Sequence, residues 1–135
     1  MFQDEIKLRV RYSETDKMGY VYYGNYAAYF EVARVELLRS IELNYKKMED
    51  EGIMMPVVDY HIRYIKPAFY DDELKIITKI VNLPSSKIEF AYETYNQHDE
   101  LLNRAEVTLV FVNMKSGKPC RGPESFMKKI YPYFE

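Results

Sequence analysis

Asp16 has the surroundings that could do chemistry. It lies in a polar, turn-rich segment, Ser13 to Gly24, with Gly19 three residues on and an aromatic run leading to Asn25. Beyond Asn25 apolar residues recur at helical spacing, so the carboxylate stands just upstream of a helix N-terminus. The first turn of a helix leaves backbone N–H groups unpaired, and the helix dipole adds partial positive charge there. A developing negative charge can be held at such a place, and a carboxylate facing it is the minimum set for hydrolysing an activated acyl group. Spacing alone also fits a plainer role, because Asp with Gly three residues later is a common turn signature.

The elements that must position Asp16 are legible in the periodicity. Ile6, Leu8, Val10 and Tyr12 alternate with Lys7, Arg9 and Arg11, which predicts a strand. Asn25 reads as an N-cap. Tyr26, Phe30, Ala33, Leu37 and Ile41 then form the apolar stripe of an amphipathic helix of about five turns, ending near Asn44. Glu31, Arg34, Glu36, Arg39 and Glu42 fall on its polar face. Lys46 to Gly52 reads as a polar connection. Four strand-like stretches follow, Met54 to Ile65, Leu74 to Val81, Ile88 to Tyr95 and Leu101 to Met114. A short helix from Phe126 to Tyr131 opens after Pro123. The order strand, long helix, four-strand meander leaves apolar surface and a sheet edge that one helix cannot cover, so an oligomer is expected.

Composition excludes several classes. The 135 residues are the usual size of one domain, and 47% hydrophobic content supports a packed core rather than disorder. A net charge of -2 is no electrostatic footprint for a nucleic-acid partner. Cys120 is the one cysteine, so no intrachain disulfide can form, and a cytoplasmic setting is expected. The N-terminal residues lack the apolar core of a signal peptide, and no apolar run approaches the ~20 residues of a membrane span. His61, with Asp59 on the same strand face, reads as a core or interface histidine rather than a metal ligand, since nothing completes a ligand set. His98 lies in a turn and reads as solvated. Cys120 reads as inert, and no Gly-x-Ser-x-Gly elbow is present.

Three stretches carry a resemblance that covers nearly the whole chain: RYSETDKMGYVYYGNYAAYFEVARVELL, YIKPAFYDDELKI from Tyr64 to Ile76, and KPCRGPESF from Lys118 to Phe126. In these words and their order the chain resembles the hotdog acyl-CoA thioesterases of the 4-hydroxybenzoyl-CoA and Tol–Pal-associated branch. The resemblance implies an α+β hotdog fold, a curved antiparallel five-stranded sheet wrapped around one long helix, as a single domain over 1–135. It implies a dimer with sheets joined edge to edge, often doubled to a tetramer, with active sites at the subunit interface. It places the catalytic carboxylate on Asp16 and the carbonyl-polarising backbone N–H on Tyr23, with Gly19 shaping the loop that aims it. Tyr23 stands where many Tol–Pal-type members carry His, which leaves Asp16 without that helper.

The resemblance also places a substrate-facing polar residue on Glu31, although its position off the helix stripe reads as solvated. Tyr26 packs at the helix start and lines the site, and Met54, Met55 and Phe30 are candidate acyl walls. Arg63, Lys66, Lys118 and Arg121 are candidates for the coenzyme A phosphates. The expected activity is acyl-CoA thioester hydrolysis with no metal or redox cofactor. The alternatives are an acyl-carrier-protein thioesterase and a non-catalytic acyl-CoA-binding protein of the same fold.

Overall fold

Period-two alternation builds one curved sheet, and a single helix fills its concave face. The computed structural model describes residues 1–134. Strand β1 (Phe2–Arg9) leads through the Asp16 loop to helix α1 (Asn25–Arg39), followed by a short helix α2 (Tyr45–Asp50). Then come β2 (Ile53–Met54), β3 (Val57–Tyr64), β4 (Glu73–Ile80), β5 (Lys87–Tyr95), β6 (Leu101–Val110), β7 (Val112–Asn113) and α3 (Glu124–Ile130). The large sheet is fully antiparallel in the order β1-β4-β5-β6-β3, and β2 pairs with β7 in a two-stranded ribbon. This is the expected α+β hotdog arrangement.

The core lies between α1 and the inner sheet face. Phe30, Ala33, Leu37 and Leu38 of α1 meet Leu74, Ile76, Phe90, Tyr92, Val107 and Leu109, all buried. Phe30 stacks on Tyr92 with ring centroids 4.5 Å apart. The outer face is a charged lattice, where Lys79 pairs with Glu93 at 3.1 Å.

Several expectations are corrected. Asn25 does not cap α1: its side chain instead donates to the Glu14 carbonyl at 2.8 Å, and Gly24 stands at the cap position. α1 ends at Arg39 rather than near Asn44, because Glu42 takes a left-handed φ of 64° and breaks the helix. Asn44 is itself an N-cap, accepting from the Lys47 N–H at 2.7 Å, so the polar connection after it is α2. Arg34 is buried rather than solvated, with Nε donating to the Tyr45 hydroxyl at 3.1 Å. β3 does not join a meander with β4; it crosses the sheet to pair with β6, and only β4-β5-β6 meander. The Met54–Ile65 and Leu101–Met114 stretches each split into two strands, at Met55-Pro56 and Phe111, as the chain passes from the large sheet to the ribbon.

Both edges of the large sheet are open, and they differ. The inner-facing residues of β1 are at least partly buried, whereas Val58, Tyr60 and Tyr64 of β3 are 57%, 39% and 49% exposed. α1 does not reach far enough to cover β3.

Phe30 is the test of this packing. Phe30→Ala should lower unfolding free energy by about 3–5 kcal/mol, read from urea denaturation. A loss below about 1 kcal/mol would mean that α1 does not plug the sheet as described.

Candidate active site

Glu14 anchors the loop that carries Asp16. Its carboxylate accepts from the Arg11 N–H at 2.8 Å, the Arg11 guanidinium at 2.9 Å and the Tyr29 hydroxyl at 2.9 Å. Its carbonyl accepts from Asn25 Nδ2 and from the Tyr22 N–H, both at 2.8 Å. One residue therefore ties the end of the first strand to the loop and to the start of α1. Burial pushes the Glu14 carboxyl up, but the Arg11 and Tyr29 hydrogen bonds outweigh it and hold the group below the usual carboxylate range. Burial, together with the same bond, holds the Tyr29 hydroxyl well above its ordinary value.

The Asp16 loop closes on itself. Asp16 N–H donates to the Tyr20 carbonyl at 2.8 Å, and Asp16 Oδ1 accepts from the N–H groups of Met18 at 2.9 Å and Tyr20 at 3.2 Å. Gly19 has φ +81°, a conformation that L side chains resist. The turn role leaves Asp16 open to chemistry: Oδ1 orders the loop, and the residue still lines a cavity. Val21 N–H donates to the Ala68 carbonyl at 2.8 Å, and Tyr20 bridges Phe69, which pins the loop against the segment after β3.

That cavity encloses about 300 Å³ and is lined by Asp16, Tyr20, Val21, Tyr23, Tyr26, Tyr64, Ile65, Lys66 and Pro67. The Tyr23 N–H has no acceptor among the described residues, while the N–H groups of Asn25 and Tyr26 are used inside the turn. Asp16 and Tyr23, whose N–H is unpaired, therefore line one partly apolar hollow at a helix start. Burial pushes the Tyr26 hydroxyl up to about 12, so at neutral pH it is a protonated wall residue and not a base. Its ring lies 5.7 Å from that of Tyr64. A bulge in β6 sets the far wall: the Leu102 carbonyl accepts from both Ile65 and Lys66 N–H, at 2.8 and 3.0 Å. Lys66 lines the mouth with its ammonium paired to Glu100, whose carboxyl this bond holds below its usual value.

Asp16, Gly19, Tyr23, Tyr26 and Lys66 are thus drawn together, and the remaining candidates are not. Glu31 is exposed on α1 and lines no part of this cavity. Arg63 precedes Tyr64 on β3, so it faces outward, beside His61 and Arg104 in a separate hollow of about 370 Å³. Lys118 sits in the exposed turn after β7. Arg121 donates to the Tyr131 hydroxyl at 3.3 Å beside α3. Met54 is exposed, and Met55 lines a small hollow with Tyr45 and Met48, so neither methionine walls the Asp16 cavity within this chain; Phe30 lies behind Tyr26. His61 is exposed on the outer face, not in the core, because it alternates with the inward Tyr60 and Ile62. Glu14 and the wall residues Tyr20, Tyr64, Ile65 and Pro67 were not singled out from the sequence. Glu14 gave a signal in hindsight, an acidic residue three positions after Arg11 at a chain turn, the spacing of a capping box.

Comparison with known proteins fits this geometry. The chain belongs to the Thioesterase-like superfamily, whose sequence model matches residues 10–130. It is 34% identical over 123 residues to the acyl-CoA thioester hydrolase YbgC of Escherichia coli O157:H7, covering 91% of this chain and 92% of that one. Among solved structures it resembles the DHNA-CoA thioesterase of Staphylococcus aureus, with 32% identity, a TM-score of 0.86 and coverage of 99% and 87% of the two chains. The fold alone is shared with Slr0204, a 1,4-dihydroxy-2-naphthoyl-CoA thioesterase from Synechocystis, at 21% identity, a TM-score of 0.90 and 98% coverage of each chain.

The Glu14 anchor has a pH signature. A depressed carboxylate stabilises the fold fully above its unfolded pKa and loses that contribution as pH falls through the folded value. Glu14→Gln should therefore be less stable than the parent at pH 7, and the gap should close as pH falls below the ordinary glutamate range and through the lower folded value of the parent carboxyl. Thermal melts of both proteins across this range check it; a gap independent of pH would show that the charge on Glu14 does not matter.

Proposed function

We propose that this chain hydrolyses acyl-coenzyme A thioesters at the Asp16 cavity. The observation that carries the reading is that Asp16 and Tyr23, whose N–H is unpaired, line one hollow of about 300 Å³. The thioester carbonyl sits with its oxygen toward the Tyr23 N–H, a donor worth about 3 kcal/mol to the developing oxyanion. Asp16 either takes a proton from the attacking water or attacks the carbonyl itself to give a mixed anhydride that water then opens. Both routes expel coenzyme A as its thiolate, which takes up a proton, and leave the free acid. Family membership and the likeness to YbgC support the reading. No metal or redox group enters it, because a thioester is already activated. Lys66, at the mouth, meets the coenzyme A end of the substrate by exchanging Glu100 for a phosphate or the pantetheine chain. Arg63, Lys118 and Arg121 reach coenzyme A only if a second subunit brings their surfaces to this cavity.

The functional unit in this proposal is a homo-oligomer, a dimer or a dimer of dimers. The exposed inner residues of β3 and its unpaired edge support joining at that strand. Pairing there would lay Tyr60 and Tyr64 against a second helix α1 and bring Glu31 of that helix toward the cavity. A cytoplasmic site of action goes with a single free cysteine; among the described residues no helix is long and apolar enough to cross a membrane.

Two measurements follow. Asp16→Asn, which keeps the loop's hydrogen-bond acceptor, should cut kcat of thiol release from acyl-CoA by about 10²–10⁴ while the fold survives. Activity that persists would place the catalytic group elsewhere. Sedimentation should find a dimer or tetramer at micromolar concentration; an active monomer would contradict the β3 interface.

A further inference from the structure

Arg34 of α1 is a buried cation without an anion. The residue is 8% exposed, and its hydrogen bond runs from Nε to the Tyr45 hydroxyl at 3.1 Å. A guanidinium carries five N–H donors in a fixed fork, so this bond occupies one of them. Its nearest polar neighbours are the Tyr45 and Tyr92 hydroxyls, and no carboxylate pairs with it among the described residues. Glu31, one helical turn earlier, is exposed and does not pair with it. The Tyr92 hydroxyl stands beside the guanidinium, yet it is buried with no aligned hydrogen bond. A buried charge is costly to keep without a counter-ion, and folded chains rarely leave one so. A cation and a hydroxyl are thus both left open at one point of the core edge.

That point stands in line with the Asp16 cavity. Tyr26, Phe30 and Arg34 follow at four-residue spacing on α1 and form one row along the helix. Tyr26 and Tyr64 line the cavity. Edge strand β3 runs beside the row, with Tyr64 5.7 Å from Tyr26 and Tyr60 6.2 Å from Phe30, ring to ring. Tyr60 also lies near the Tyr92 hydroxyl. Both β3 rings stay exposed because α1 does not cover them. Two aromatic rungs therefore lead from the cavity along the strip between α1 and β3, and Arg34 stands at its end. The eight helical residues from Tyr26 to Arg34 advance about 12 Å, which the arginine shortens by leaning toward the N-terminus of its helix. An extended chain advances about 1.2 Å per bond, so an acyl group of roughly six to ten carbons spans the strip.

We propose that Arg34 and the Tyr92 hydroxyl receive a terminal carboxylate on the acyl group, so that the chain prefers ω-carboxyacyl thioesters of medium length. The inference rests on the thioesterase reading and names its substrate class. A carboxylate accepts parallel N–H bonds from the guanidinium fork and a further bond from the Tyr92 O–H, which supplies the missing anion and uses the open donor. A plain alkyl tip leaves the cation unneutralised, and a neutral hydroxyl brings no charge to it. The aromatic rungs suit the methylene stem between thioester and carboxylate. A short acyl group ends before it reaches Arg34.

The test uses matched esters on the full chain: adipoyl-, suberoyl- and sebacoyl-CoA against hexanoyl-, octanoyl- and decanoyl-CoA, with succinyl- against butyryl-CoA as the short pair. kcat/KM should be higher by roughly tenfold or more for the carboxylated member of at least one longer pair, and not for the short pair. Arg34→Met, unbranched and uncharged, should abolish that ratio while the melting temperature stays at or above the parent's. Tyr92→Phe, which deletes only the unpaired hydroxyl, should lower the ratio by roughly threefold or more. Equal or slower turnover of every carboxylated ester by the parent overturns the proposal and leaves Arg34 as a counter-ion for a second copy. So does a ratio that survives in folded Arg34→Met, or in Tyr92→Phe where Arg34→Met does not fold. A preference as large in the short pair also overturns it, since the carboxylate is then met before Arg34. If no ester of either series is hydrolysed, the thioesterase reading itself fails. The same pairs are then compared by calorimetric binding, where equal affinities overturn the carboxylate preference and a preference lost in Arg34→Met sustains it.

Discussion

The Glu14 carboxylate holds the active cavity together. It adds the Arg11 and Tyr29 bonds to those that the Glu14 carbonyl already takes from Tyr22 and Asn25, so the end of the first strand, the loop and the start of α1 share one anchor. With it, one side chain and its own carbonyl take six hydrogen bonds from Arg11, Tyr22, Asn25 and Tyr29. Two of the donors belong to α1 itself. The loop is thus fastened to the helix, and the buried stripe of α1 fixes where both stand against the sheet.

That construction explains a division of labour in Asp16. A carboxylate on a free loop would lose conformational entropy on meeting substrate. Here one oxygen is already engaged by the Met18 and Tyr20 N–H groups, so the side chain is oriented at no further cost when the thioester arrives. Gly19 permits the backbone turn that makes this possible. The outer walls, from Tyr64 to Pro67, owe their position to the β6 bulge at Leu102, which holds two successive N–H groups on one carbonyl.

Much of this was legible in the sequence. Alternation located the strands, and the stripe from Tyr26 to Leu37 located the helix, because both report which face is buried. What failed was of three kinds. Asn25 and Arg34 were read from local chemistry, as a cap and a solvated cation, but tertiary partners, the Glu14 carbonyl and the Tyr45 hydroxyl, claimed both. Strand order could not be read, since periodicity says that β3 is a strand and not that it crosses to β6. Among the site residues, Asp16, Tyr23, Tyr26 and Lys66 converge because they border the loop that closes the cavity. Arg63 lies outside this cavity by one residue's worth of pleat, since it faces away from its neighbour Tyr64.

The central claim is that a thioester carbonyl docks on the Tyr23 N–H opposite Asp16, and a backbone donor cannot be removed by changing its side chain. The direct measurement is the Tyr23 amide resonance in a ¹⁵N–¹H spectrum, followed while the protein is titrated with a non-hydrolysable ketone analogue of an acyl-CoA. The account predicts a downfield proton shift at Tyr23 that saturates with the analogue and is absent with coenzyme A alone. Saturable binding that leaves the Tyr23 amide unmoved would contradict it and place the carbonyl elsewhere.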